Sequence, residues 1–211
     1  MISLEVALQF IVTSAVLAAI PGPDNLFVLM QSALYGSRKG VAVTLGLCTG
    51  LIVHTLAVAF GVAAIFQASA AAFTALKIVG AAYLLYLAYG AFKASGASSD
   101  SGGAEATPER STSALYVRGI VMNVTNPKVA IFFLAFLPQF VQADAGSVPL
   151  QVIQLGVLFI ATALVVFSGI ALASGRLAGW LRRSPRAIGR MNKVAGFVFI
   201  GLAAKLAMAQ R

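Results

Sequence analysis

The sequence predicts an all-α integral membrane protein. It should have six transmembrane helices, arranged as two inverted three-helix repeats with a broken first helix in each half. Three observations predict this. The 211 residues are 60% hydrophobic and only 10% charged, whereas soluble domains carry about 25% charged residues. The apolar residues gather into six segments, each near the ~20 residues that cross a bilayer. Two of those segments are cut by proline beside a charge, at Asp24 and at Lys128. We read one transporter-like domain over 1–211, with repeat one at about 1–93, a cytoplasmic loop at about 94–114 and repeat two at about 115–211.

The first apolar segment covers about 4–33 and is interrupted by Pro21-Gly22-Pro23. Its opening resembles a secretory signal, but no Lys or Arg precedes it and Glu5 stands at its start, so it is expected to be a retained span. The second and third cover about 41–66 and 70–92. Residues 94–112 are rich in Ser, Gly and Ala and carry Asp100, Glu105, Pro108 and Glu109, the composition of a flexible loop. The fourth segment, about 117–141, holds the Asn-Pro-Lys break. The fifth, about 148–173, is entered through Pro149, and the sixth covers about 194–208.

Orientation follows from the basic residues. Arg38, Lys39, Lys93, Arg110, Arg118, Arg176, Arg182, Arg183, Arg186, Arg190 and Lys193 fall on one side, against Lys77, Lys205 and Arg211 on the other. Loops rich in Lys and Arg stay in the cytoplasm, which places both termini in the periplasm. The net charge of +9 therefore flanks spans rather than forming a nucleic-acid surface.

The two halves echo each other. Lys77-x-x-Gly80-x-x-Tyr83-Leu84-x-x-x-Ala88 returns as Lys193-x-x-Gly196-x-x-Phe199-Ile200-x-x-x-Ala204, and Pro23-Asp24 matches Pro127-Lys128. Three spans per half is an odd number, so the halves must be inverted. Inverted repeats with interrupted helices belong to secondary transporters, whose sites lie at the repeat interface.

The breaks carry the chemistry. In Pro21-Gly22-Pro23-Asp24-Asn25, no helix can continue through the prolines. Pro23 suits the first position of a new helix, which puts the Asp24 carboxylate at the positive end of its dipole. In Asn123-x-x-Asn126-Pro127-Lys128, Asn126 can cap and Pro127 can start the second half-helix. Lys128 then lies at a helix N-terminus, where a cation is unfavourable. An ammonium at mid-membrane costs about 2.5–3.5 kcal/mol, so Lys128 needs an anion. Within the spans the sequence offers Asp24 and little else. Counted from their basic flanks, the two depths differ by about 6 Å. They either pair directly or bracket the ammonium and carboxylate of an amino acid.

The predicted substrate pathway is therefore Pro21, Gly22, Pro23, Asp24, Asn25, Asn123, Asn126, Pro127 and Lys128. Asp24 and His54 are the candidates for proton coupling. His54 has a pKa range suited to relaying protons, yet with no partner evident in the sequence it reads first as a packed helix residue. Gly46-x-x-x-Gly50 would let two helices approach closely. Tyr83, Tyr86 and Tyr89 share a face of the third span, where packing or interface anchoring explains them. Cys48 is the single cysteine, which excludes an intramolecular disulfide and a paired-thiol site. Divalent cation sites favour several carboxylates or thiols, and the spans lack them. Neither a metal nor another cofactor is expected, and the residues of an intramembrane protease are missing, so no enzyme is expected.

At these residues the chain resembles the lysine exporter / homoserine-threonine efflux family (LysE/RhtB) of bacterial amino-acid exporters. The matching stretches are Pro21-Gly22-Pro23-Asp24-Asn25, Gly36-x-x-x-Gly40, Gly46, Asn123-x-x-Asn126-Pro127-Lys128, the run from Phe132 to Val141, and Asn192-x-x-x-Gly196-x-x-Phe199-Ile200-Gly201-Leu202. Ala203 departs from a glycine common in the family. The resemblance covers nearly the whole chain. It implies efflux of amino acids or related small molecules, driven by the proton gradient, from a multi-pass protein of the bacterial inner membrane. The implied partners are an amino-acid substrate, protons and the lipid bilayer, with no nucleic acid; self-association into a homo-oligomer is left open. An ion or metal efflux carrier on the same scaffold is the alternative reading.

Overall fold

Proline and glycine divide the chain where the sequence places them. The computed structural model describes residues 2–68, 70–96, 110–176 and 185–208. Helix α1 (Leu4–Ala19) is capped by the Ser3 hydroxyl, which accepts from the Val6 N–H. After Pro21 and Gly22 the chain re-enters a helix as α2 (Pro23–Tyr35), bent 62° from α1. Gly36, at φ +89°, ends α2 in the left-handed region that glycine tolerates best. Helices α3 (Ser37–Ala68) and α4 (Ala70–Gly96) follow. Most of the expected loop at 94–112, residues 97–109, lies outside the described residues; residues 94–96 end α4, and Arg110 and Ser111 lead into the next helix at Thr112.

Helix α5 (Thr112–Val124) starts from Ser111, whose hydroxyl accepts from the Ala114 N–H. Pro127 opens α6 (Pro127–Ile131), and the second pair of arms is bent by 50°. The sequence suggested one interruption in this segment, and the structure has two. Residues Phe132–Phe136 widen into a π-helical turn and Leu137–Phe140 tighten into a 3₁₀ turn. Pro138 is the cause: it has no N–H for the Leu134 carbonyl four residues back. The Leu137 N–H reaches five residues back instead, to the Phe132 oxygen.

Helix α7 (Val148–Leu172) matches the fifth segment. Helix α8 (Pro185–Met208) begins well before the apolar stretch near 194. Its first turns carry Arg186, Arg190 and Lys193, which favour a helix as readily as leucine does while being excluded by hydropathy. Three described helices are long and apolar enough to cross a membrane: Ser37–Gly61, Val148–Leu172 and Gly189–Met208. Counting each bent pair as one span gives five. Helix α4, some of whose side chains lie outside the described set, is not in that count.

Helix α3 is the centre of the bundle, packed on α2, α5 and α7, while α4 lies along α8 and α1 along α7. The α3–α5 contact is backbone against backbone. A Cβ on Gly119 would lie 3.0 Å from the Leu47 nitrogen, and one on Gly46 would strike the Tyr116 carbonyl. Small residues drive such close packing in membranes, where no hydrophobic effect pulls helices together. One turn further along α3, a Cβ on Gly50 would lie 2.7 Å from the Cβ of Asn123. The predicted Gly46-x-x-x-Gly50 pair is thus the seam that carries Asn123 inward.

Beyond the second break, Phe10, Phe132, Phe133, Phe136, Phe140 and Phe159 form an aromatic block. Ring centroids in it lie 5.0 Å apart for Phe10 and Phe140 and 5.1 Å for Phe133 and Phe159. Outward, large apolar side chains such as Leu4, Phe60, Val165 and Phe197 are exposed, as a lipid-facing surface requires.

Candidate functional site at the two helix breaks

Each break repeats one local plan. At the first, extended Gly22 precedes Pro23, and α2 presents Asp24 and Asn25 in its first turn. The Asn25 side-chain amide donates back across the break to the Ala18 carbonyl at 2.7 Å, relieving one of the oxygens that the end of α1 leaves without a donor. At the second, the Asn126 side-chain oxygen accepts from the Lys128 N–H at 3.0 Å. Pro127 takes the first helical position, and Lys128 stands where Asp24 stands in the first break. Asn123, just before the break, lends its carbonyl to two donors, the Asn126 N–H at 3.0 Å and His54 Nε2 at 3.1 Å. A carbonyl can only accept, so this contact fixes the proton on Nε2.

The two breaks meet. A cavity of about 30 Å³ is lined by Gly22, Pro23, Asp24 and Asn25 from the first and by Asn123, Asn126 and Lys128 from the second. Pro21 and Pro127 shape the backbone without lining it, and His54 stands behind Asn123. The apolar wall comprises Leu17, Leu51, Val129, Phe159 and Phe167. Sequence reasoning missed these residues, because inside a span each looks like any other apolar position.

The polar groups are unevenly matched. Asp24 is 5% exposed and Asn123 1% exposed. Asp24 Oδ1 and Asn123 Oδ1 are both buried without a hydrogen-bond partner. Leaving such a group unsatisfied costs about 1–3 kcal/mol, more when it is charged. Asn126, Asn123, Lys128 and His54 are the polar neighbours of the carboxylate, yet none of them donates to Oδ1. The Lys128 ammonium reaches across to the first break: a Cβ on Gly22 would lie 3.6 Å from Nζ. It also sits over the Phe199 ring, 5.5 Å from the centroid, a favourable place for a cation. Among the described residues no direct ion pair joins Asp24 and Lys128. The cavity is therefore lined by one cation and by one carboxylate with an oxygen in want of a donor, while Asn123 Oδ1 lies against Gly50 of α3. Among the described residues, no group of three or more His, Cys, Asp or Glu side chains is placed to hold a metal ion.

Bent helix pairs, a lipid-facing apolar surface and opposite charges on one central cavity define a membrane-embedded translocator. The chain belongs to the family described as LysE type translocator, whose profile matches residues 15–210. It is 34% identical over 201 residues to a homoserine/homoserine lactone efflux protein of Salmonella typhimurium, covering 95% of each chain. It is 31% identical over 210 residues to an uncharacterized membrane protein of Vibrio cholerae, covering 98% of each. It is 26% identical over 203 residues to a leucine efflux protein of Klebsiella pneumoniae, covering 96% of this chain and 95% of the relative. No solved structure matches the chain. The family is one of translocators rather than enzymes.

If the two charges act as one electrostatic unit, they should not be independent. Asp24→Asn alone leaves Lys128 without a counter-charge, and Lys128→Gln alone strands Asp24. The double change is expected to restore membrane abundance above either single variant, with coupling beyond the ~0.5 kcal/mol of unrelated sites. Quantitative immunoblotting of membranes measures it, and strict additivity would show that the residues do not sense each other.

Proposed function

We propose that this chain exports amino acids or closely related small molecules across the bacterial inner membrane by proton antiport. The observation that carries the reading is the buried Asp24 carboxylate, whose Oδ1 has no hydrogen-bond partner, on the same cavity as Lys128. An α-ammonium group carries three donors and a charge that suits the Asp24 carboxylate. An α-carboxylate suits Lys128. The substrate side chain then lies against Leu17, Leu51, Val129 and Phe159. The efflux proteins named among the relatives support amino acids as the cargo.

Antiport follows from one shared carboxylate. A substrate ammonium and a proton compete for Asp24, so the site carries one or the other. A proton taken up from the periplasm lets the unloaded site return without a bare charge, and cytoplasmic substrate displaces it. The cavity of about 30 Å³ has room for about two waters, whereas ligand pockets run to about 300–1,000 Å³. The arms of the breaks must part for substrate to enter.

We read the chain as one transporter domain of six spans, α4 included, in two inverted repeats. Two contacts support the inversion. Phe10, before the first break, packs edge-on against Phe140, after the second. Phe27, after the first break, lies under Arg118, before the second, at 5.0 Å. The two broken helices therefore run antiparallel. By the basic-loop rule both termini lie in the periplasm, and the aromatic block then closes the periplasmic end.

In proteoliposomes with an imposed pH gradient, Asp24→Asn is expected to abolish uphill amino-acid export. Undiminished gradient-driven export would remove Asp24 from the proton path. For orientation, a cysteine at Asp144 in a Cys48→Ser background should react with an impermeant thiol reagent in intact cells. A cysteine at Ser111 should stay protected until the cells are opened; the reverse pattern would invert the topology.

A further inference from the structure

We infer that His54 is a positioning residue for the site: its imidazole replaces the backbone N–H that Pro127 lacks, and so fixes the end of α5 from which Asn123 and Asn126 enter the cavity. In an unbroken helix the Asn123 carbonyl would accept from the N–H of residue 127. Residue 127 is proline and has none. The Asn126 N–H donates to that oxygen at 3.0 Å from three residues on, and His54 Nε2, from another helix, takes its second acceptor site at 3.1 Å, in place of the donor that residue 127 lacks. A membrane interior offers no water to do this instead.

The surroundings are built for the contact. His54 is buried. Gly50, one turn earlier on α3, makes the space that the Asn123 side chain fills, and Gly46, a turn before that, abuts the α5 backbone at Tyr116. Positions 46, 50 and 54 lie at intervals of four, so a single stripe of α3 carries seam, socket and grip. The imidazole also packs on Phe133, with ring centroids 5.7 Å apart. One ring thus touches both arms of the second broken helix. At the first break a carbonyl at the end of α1 is likewise served by a side chain, the Asn25 amide on Ala18. The position matching Asn25 in the second break is Val129, which has no donor, and α3 supplies the missing one.

This role needs a donor and no titration, which separates it from proton relay. It rests on the transport reading only for its efflux readout. His54→Gln keeps an N–H at similar reach and cannot titrate; His54→Leu keeps bulk without a donor. Efflux from preloaded proteoliposomes should fall at least about tenfold in His54→Leu, the scale of a lost buried hydrogen bond. His54→Gln should retain most of the activity with an unchanged pH profile. Equal loss in both variants, or a displaced pH profile in His54→Gln, would overturn the proposal. A second measurement is independent of transport. His54→Leu should lower the melting temperature of the purified protein by about 3 °C. In a Pro127→Ala background, where residue 127 supplies its own N–H, the same change should cost less than half as much. An equal cost in both backgrounds would overturn the proposal even if no transported amino acid had been found, whereas a reduced cost with no efflux of any amino acid would fault the transport reading alone.

Discussion

A proline in a membrane helix withholds an N–H where no water can replace it, and the centre of this protein is built around that constraint. Pro21 and Pro23 deprive the end of α1, and Pro127 and Pro138 deprive the second broken helix. Groups around the breaks take up part of the deficit. Asn25 serves Ala18 and His54 serves Asn123. A π-helical turn lets the Leu137 N–H reach the Phe132 oxygen. The bends of 62° and 50° follow from these substitutions, and they turn two helix starts, with their positive dipole ends, toward one cavity.

Those helix starts decide the electrostatics. Asp24 and Lys128 hold the same position after their prolines, so the dipole favours the first and opposes the second. Lys128 answers by reaching toward Gly22 and resting over Phe199. A mid-membrane ammonium costs about 2.5–3.5 kcal/mol, and a cation–π contact returns about 0.5–2 kcal/mol. The difference, and the unsatisfied Asp24 oxygen, are what a bound zwitterion would relieve. The site is destabilised in the form in which it waits for cargo.

Much of this was legible in the sequence because proline and charge are loud inside apolar runs. Pro23-Asp24 and Pro127-Lys128 located both breaks, and their shared spacing predicted the matched helix starts. Gly46 and Gly50 marked the seam with α5. Other features were silent for physical reasons. Nothing local ties His54 to Asn123, 69 residues on, although its place four residues after Gly50 put it on the seam face. Phe159 and Phe167 acquire a role only when α7 packs beside the breaks. Pro138 was visible, but whether a helix answers a missing donor by kinking, widening or tightening depends on the packing around it. The start of α8 was hidden because arginine-rich helix looks the same as loop to hydropathy.

The central claim is that the two breaks bracket the two ends of a zwitterion, Asp24 at the ammonium and Lys128 at the carboxylate. Calorimetric binding of an exported amino acid, its N-acetyl derivative and its methyl ester tests it most directly. In the unaltered protein both derivatives should bind at least about tenfold more weakly, since each removes a charge-assisted hydrogen bond. Asp24→Asn should erase the penalty for N-acetylation alone, and Lys128→Gln the penalty for esterification alone. Penalties that persist unchanged in both variants would contradict the bracket.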